Sequence, residues 1–145
     1  MEDNTYIYNN DRSQIAREKI ENTIGQGTEI RKLLDRVEQY KDLKYPILFQ
    51  GPPGARNRLF ARYIHSLSLR SNEKYCVIHC GTFDDSAIGT ELFGWVKGAF
   101  TSAHRTRIGL IESADKGTLV LDRIDRLSVC SQIRVLSLLE EQTIL

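Results

Sequence analysis

The sequence is poor in several things that would narrow its class at once. It has no apolar run approaching the roughly 18 residues of a membrane-spanning helix, and the N-terminal stretch MEDNTYIYNNDRSQ lacks the apolar region of a secretory leader. The formal net charge is only +1, so no bulk field favours a nucleic acid or a membrane surface. The three cysteines, Cys76, Cys80 and Cys130, are odd in number. They form no C-x-x-C pair and have no histidine at zinc spacing, so they read as reduced core thiols of a cytoplasmic protein. No internal repeat is visible. With 145 residues, 41% of them hydrophobic and 27% charged, the chain is long enough for one domain with a core.

Positive charge does gather locally, in Arg56, Arg58 and Arg62 and again in His104, Arg105 and Arg107. Either run reads as a solvated face, and the first also as an attraction for anions. Residues 1–12 are polar and Asn-rich and read as a flexible arm. Residues 13–24 carry apolar positions at helical spacing, ended by Gly25 and Gly27. Thr28 is expected to cap a second helix, with Ile30, Leu33, Leu34 and Val37 on its apolar face and its end near Asp42. YPILFQ (45–50) reads as a buried strand, with Pro46 where a strand start tolerates proline. A Gly/Pro turn follows, then a helical stripe of Leu59, Phe60, Tyr63, Ile64 and Leu67. KYCVIHC (74–80) and GTLVLD (117–122) read as two further strands, and 128–142 as a last helix. Strands apolar on both faces, alternating with helices, predict a parallel sheet covered by helices. Three strands are few for such a sheet, so the fold is expected to be incomplete at the C-terminus.

GPPGARNR, residues 51–58, follows the first of these strands and opens a helix. That is the context of a phosphate-binding loop, whose pattern is G-x-x-x-x-G-K-[ST]. Gly51, Pro52, Pro53, Gly54 and Ala55 keep the frame, but Arg56 replaces the second glycine, Asn57 the lysine and Arg58 the hydroxyl residue. Asn57 cannot supply the charge that neutralises terminal phosphates, and Arg58 cannot ligate magnesium. Arg56 brings a Cβ to a position that often needs positive φ. The segment also reads as a plain strand–turn–helix. The two arginines still suit phosphate, which arginine binds bidentately. At the end of the third strand, TLVLDRID keeps Asp122 but has Arg123 where a water-polarising glutamate would stand; Asp125 lies three residues on.

Residues 91–122, ELFGWVKGAFTSAHRTRIGLIESADKGTLVLD, make the sequence specific. ELFG (91–94) precedes a loop of Gly98, Ala99, Phe100, Thr101, Ser102 and Ala103. IGQGTEIRKLL (24–34), ARYIHSLSLRS (61–71) and GTLVLDRIDRLS (117–128) follow the same pattern. From about residue 22 to 145 the chain closely resembles the central AAA+ domain of bacterial enhancer-binding proteins, the activators of sigma-54 RNA polymerase, whose signature loop is GAFTGA. The resemblance implies a three-layer P-loop NTPase sheet flanked by helices, a hexameric ring, ATP and magnesium as cofactors, and sigma-54 as partner. Phe100 and Thr101 would face sigma-54, and Gly51 to Arg58 and Asp122–Arg123 would be the two nucleotide motifs. His79 stands where the family has an asparagine that couples the glutamate to the ligand state, and Ser102 replaces the loop's second glycine.

The lysine, the magnesium hydroxyl, the glutamate and its switch partner are thus absent together. This predicts a pseudo-ATPase with no catalytic residue and no metal ligand set, for which ATP and magnesium are doubtful. It would contact sigma-54, alone or in rings with active relatives. Two alternatives stay open: a weak ATPase in which Arg56 or Arg58 stands in for the lysine, and an interaction module or remnant without sigma contact. No DNA-binding element is visible in the chain.

Overall fold

The computed structural model describes residues 6–8, 20, 22, 25, 27–99, 101 and 103–141. In chain order the elements are β1 (Tyr6–Tyr8), α1 (Thr28–Tyr40), α2 (Asn57–Leu67), β2 (Tyr75–His79), α3 (Asp85–Phe93), β3 (Gly94–Trp95), β4 (Arg107–Ile108), α4 (Leu110–Ser113), β5 (Thr118–Asp122) and α5 (Val129–Glu141). A single 3-10 turn, Ile124–Arg126, links β5 to α5.

The main sheet has the order β1-β2-β5. β2 and β5 are parallel, with Tyr75 opposite Thr118 and His79 opposite Asp122. Successive side chains of a strand point to opposite faces, and the contacts follow that rule. Ile78 and Cys80, with Leu119 and Leu121, pack in one apolar cluster with Ile88, Leu92, Leu110 and Val135 from α3, α4 and α5. The alternate residues face α2: Thr118 meets His65, and Asp122 meets Arg58. Helices therefore cover both faces, in an α/β three-layer arrangement. A second cluster joins α1 to α2 through Leu34, Val37, Phe60, Tyr63 and Ile64, with Ile20. The Tyr63 hydroxyl donates to Glu38 Oε1 of α1 at 2.6 Å and fixes the angle between the two helices.

Three expectations about secondary structure are corrected. Residues 45–50 form no strand. Tyr45 is 76% exposed and Leu48 75%, and only Phe49 is half-buried, against Phe60. Apolar composition makes a segment a strand only when a neighbouring strand takes its backbone groups, and among the described residues none does. Tyr6–Tyr8, inside the stretch read as an arm, instead pair antiparallel with β2. The remainder of residues 1–12, and the helical reading of 13–24 apart from Ile20 and Asn22, lie outside the described residues. Third, Thr28 is the first helical residue of α1 and Gly27 is its cap.

Cys76 and Cys80 are buried, as read, but Cys130 is exposed on α5. Burial raises the Cys76 thiol and, with the Asp122 charge, pushes Cys80 up to about 11, so both are protonated, inert core groups. Among the described residues no helix is long and apolar enough to cross a membrane.

Candidate functional site

The loop between residue 50 and α2 is a closed turn. Ala55 N–H donates to Pro52 O at 3.0 Å around Pro53 and Gly54, and Gly54 takes φ +89°. Proline at the second position and a positive-φ glycine at the third are what a type II turn requires. Gly51 lies against Ala55, with no room for a side chain. Arg56 caps α2 in the left-handed region, at φ 56°, a conformation costing a residue with a Cβ about 1 kcal/mol.

Asn57 and Arg58 both meet the protein's own groups, Asn57 half-buried and Arg58 exposed. Asn57 Nδ2 donates to Phe49 O at 3.2 Å, so the residue at the lysine position ties the loop to its own beginning. Arg58 Nε lies 3.9 Å from Asp122 Oδ2. His79 Nε2 approaches the same oxygen at 3.8 Å, and Thr82 Oγ1 stands 3.1 Å from His79 Nδ1. With the Thr82 hydroxyl donating to Nδ1, the Nε2 proton faces Asp122. The structure thus joins Arg58, His79 and Asp122, residues far apart in sequence, at the ends of α2, β2 and β5. Arg123 is left-handed, at φ 59°. Its Nε is 3.8 Å from Asp125, which also meets Arg126 at 3.3 Å. Asp125 is therefore held by two arginines.

The second candidate region is the loop carried by the β3–β4 hairpin. Gly94 pairs with Ile108 and Trp95 with Arg107. Gly94 has φ +70°, and a Cβ on it would lie 2.2 Å from Arg107 O; one on Gly109 would lie 2.3 Å from Leu92 O. Only glycines let the two chains come this close. Arg107 forks onto Glu91, with contacts of 2.9 and 3.0 Å, and its guanidinium lies 5.2 Å from the centre of the Trp95 ring. Further out, Lys97 N–H donates to Thr106 Oγ1 and Gly98 N–H to Ala103 O at 2.9 Å. Ala103 is buried, while Gly98, Ala99 and Thr101 are exposed. Phe100 and Ser102 lie outside the described residues. Of the anchors, Trp95 and Gly109 were not singled out from sequence, and Glu91 and Arg107 were noted only within ELFG and a basic run, without their pairing. A charge pair sixteen residues apart carries no periodic signal, and two-residue strands are too short to show alternation.

Gly109→Ala is expected to destabilise the chain by about 3 kcal/mol, since the added methyl meets backbone that cannot move aside. A urea midpoint measured by circular dichroism checks this, and a loss below about 1 kcal/mol would show that the hairpin base is not close-packed.

This architecture is the nucleotide-binding α/β fold of the AAA+ type. NtrX from Brucella abortus, solved in complex with ATP, superposes with a TM-score of 0.73 at 27% identity, covering 83% of this chain and 25% of NtrX. The family model for the sigma-54 interaction domain matches residues 23–145, and the chain belongs to that family. SfnR of Pseudomonas fluorescens strain Pf0-1, a sigma-54-dependent transcriptional regulator, is 39% identical over 112 residues, 77% of this chain and 30% of SfnR. The hydrogenase transcriptional regulatory protein HoxA of Bradyrhizobium diazoefficiens is 43% identical over 103 residues, 71% of this chain and 21% of HoxA. The chain therefore spans less than a third of each of these relatives. It is a domain of the sigma-54 interaction family with the AAA+ fold.

Proposed function

We propose that this domain acts in transcription regulation as a contact module for sigma-54 RNA polymerase, with the nucleotide frame kept and ATP turnover lost. The observation that carries the reading is that loop residues meet the protein's own groups: Asn57 bonds Phe49 O and Arg58 lies beside Asp122. Side chains at the lysine and hydroxyl positions serve the fold, and an arginine occupies the glutamate position. ATP, bound by NtrX in the solved complex, is on this reading at most a ligand of the loop and not a substrate. The setting is cytoplasmic, and the partners are sigma-54 and AAA+ relatives, including further copies of the chain.

The contact surface on this reading is the hexapeptide Gly98–Ala103, with Phe100 and Thr101 as the residues that meet sigma-54. Its support is the hairpin: two close-packed glycines and the Glu91–Arg107 fork hold the base, and Thr101 is exposed. An exposed loop on a rigid base can seat an aromatic anchor in a partner groove. Labelled sigma-54 titrated with the chain should show saturable binding by fluorescence anisotropy. The double variant Phe100→Ala/Thr101→Ala should weaken it at least about tenfold, the range of a hot-spot residue. Binding indifferent to the double variant would remove the loop from the contact, and no binding by a folded chain would favour the module without sigma contact.

A further inference from the structure

The family's nucleotide chemistry implies magnesium, and the residues present do not fit it. Magnesium takes six oxygen ligands at about 2.0–2.1 Å in near-octahedral geometry. Asp122 is the carboxylate such an ion would use, and Arg58 and His79 both converge on its Oδ2, at 3.9 and 3.8 Å. The position that would offer a hydroxyl oxygen is Arg58 itself, a group with donors only. Asp125, three residues along, is held between Arg123 and Arg126. Among the described residues no group of three or more His, Cys, Asp or Glu could hold a metal.

We propose that Arg58 is the resident cation of this site: its guanidinium neutralises Asp122 and excludes divalent metal. This rests on the reading that the nucleotide frame is kept without turnover, and it deepens that reading by giving the lost metal a specific replacement. The same pair links the first turn of α2 to the end of β5, a connection a metal-bound site would make only through its ion and ligand.

The probe is Mn²⁺ alone, followed through paramagnetic broadening of the histidine ring resonances of the whole chain. The three histidines serve as their own controls: His79 beside Asp122, His104 exposed and His65 buried. In the wild-type chain His79 should broaden at no lower Mn²⁺ concentration than His104. In Arg58→Thr, and equally in Arg58→Gln, His79 should broaden selectively at a concentration at least about tenfold lower. Arg58→Lys, which keeps the charge, should behave as wild type. Selective broadening of His79 in the wild type would overturn the proposal. So would Arg58→Thr and Arg58→Gln both folding, by circular dichroism, without gaining selective broadening. Neither readout involves sigma-54, so failure here is distinguishable from failure of the contact reading.

Discussion

ATP incubated with the chain and magnesium should be hydrolysed at the rate of a protein-free control. Phosphoryl transfer is catalysed by positioning and charge stabilisation, and one arginine acting on the transition state can be worth about 10³–10⁵ in rate. On the proposed reading several such contributions are missing at once. The residue at the lysine position has no charge and is spent on Phe49 O. Asp122 already faces Arg58 and His79. No carboxylate follows Asp122, and Asp125 is engaged by two arginines. A released-phosphate assay checks this. Magnesium-dependent turnover above the control, abolished by Arg58→Ala, would instead establish the weak-ATPase reading.

Acid should weaken the fold through His65. This side chain is buried in α2, with Nδ1 2.9 Å from Thr118 Oγ1, its ring 4.9 Å from that of Tyr75, and Nε2 without a hydrogen-bond partner among the described residues. Burial, joined by the charges of Arg70 and Arg62, lowers its pKa from 6.5 to about 4. Between those values the unfolded chain binds the proton and the folded chain does not. Stability is therefore full above pH 6.5, falls as the pH drops below it, and levels off below about 4. At roughly 1.4 kcal/mol per pKa unit the loss approaches about 3 kcal/mol. For a chain of this size that is on the order of 10 °C in melting temperature. His65→Gln should flatten this part of the profile. A wild-type curve flat from pH 6.5 to 4 would mean that the pocket admits water.

The parts of this fold legible in the sequence are those whose neighbours are supplied within the described chain. Tyr75–His79 and Thr118–Asp122 are apolar, they pair with each other, and both were expected as strands. α2 followed from its stripe, since Phe60, Tyr63 and Ile64 are buried together. Residues 45–50 have the same apolar character and, among the described residues, no strand beside them, and pairing is a property of two segments that one segment cannot display. Tyr6–Tyr8 fails in the opposite way: three residues give no period to read, yet β2 offers them an edge. The nucleotide motifs were legible as residue types at a spacing, from which Asn57 and Arg58 are expected to lack the lysine and hydroxyl roles. What they do instead depends on Phe49 O and on Asp122, sixty-four positions from Arg58 in sequence, and only the folded chain brings these together. Cys130 was read as core because cysteine usually is; α5 turns it to solvent along with Val129.

The most direct test of a frame kept for contact and not for turnover is the affinity for sigma-54 with and without magnesium and an ATP transition-state analogue. In a working motor the nucleotide state drives the contact. On the proposed reading Asn57, Arg58 and Asp122 are engaged with the protein's own groups, and the affinity should stay within about twofold in both conditions, well under the 1.4 kcal/mol of a tenfold change. A tenfold or greater rise with the analogue and magnesium would contradict the account, because it would require a nucleotide-driven switch running through Asp122 and His79 to the hairpin.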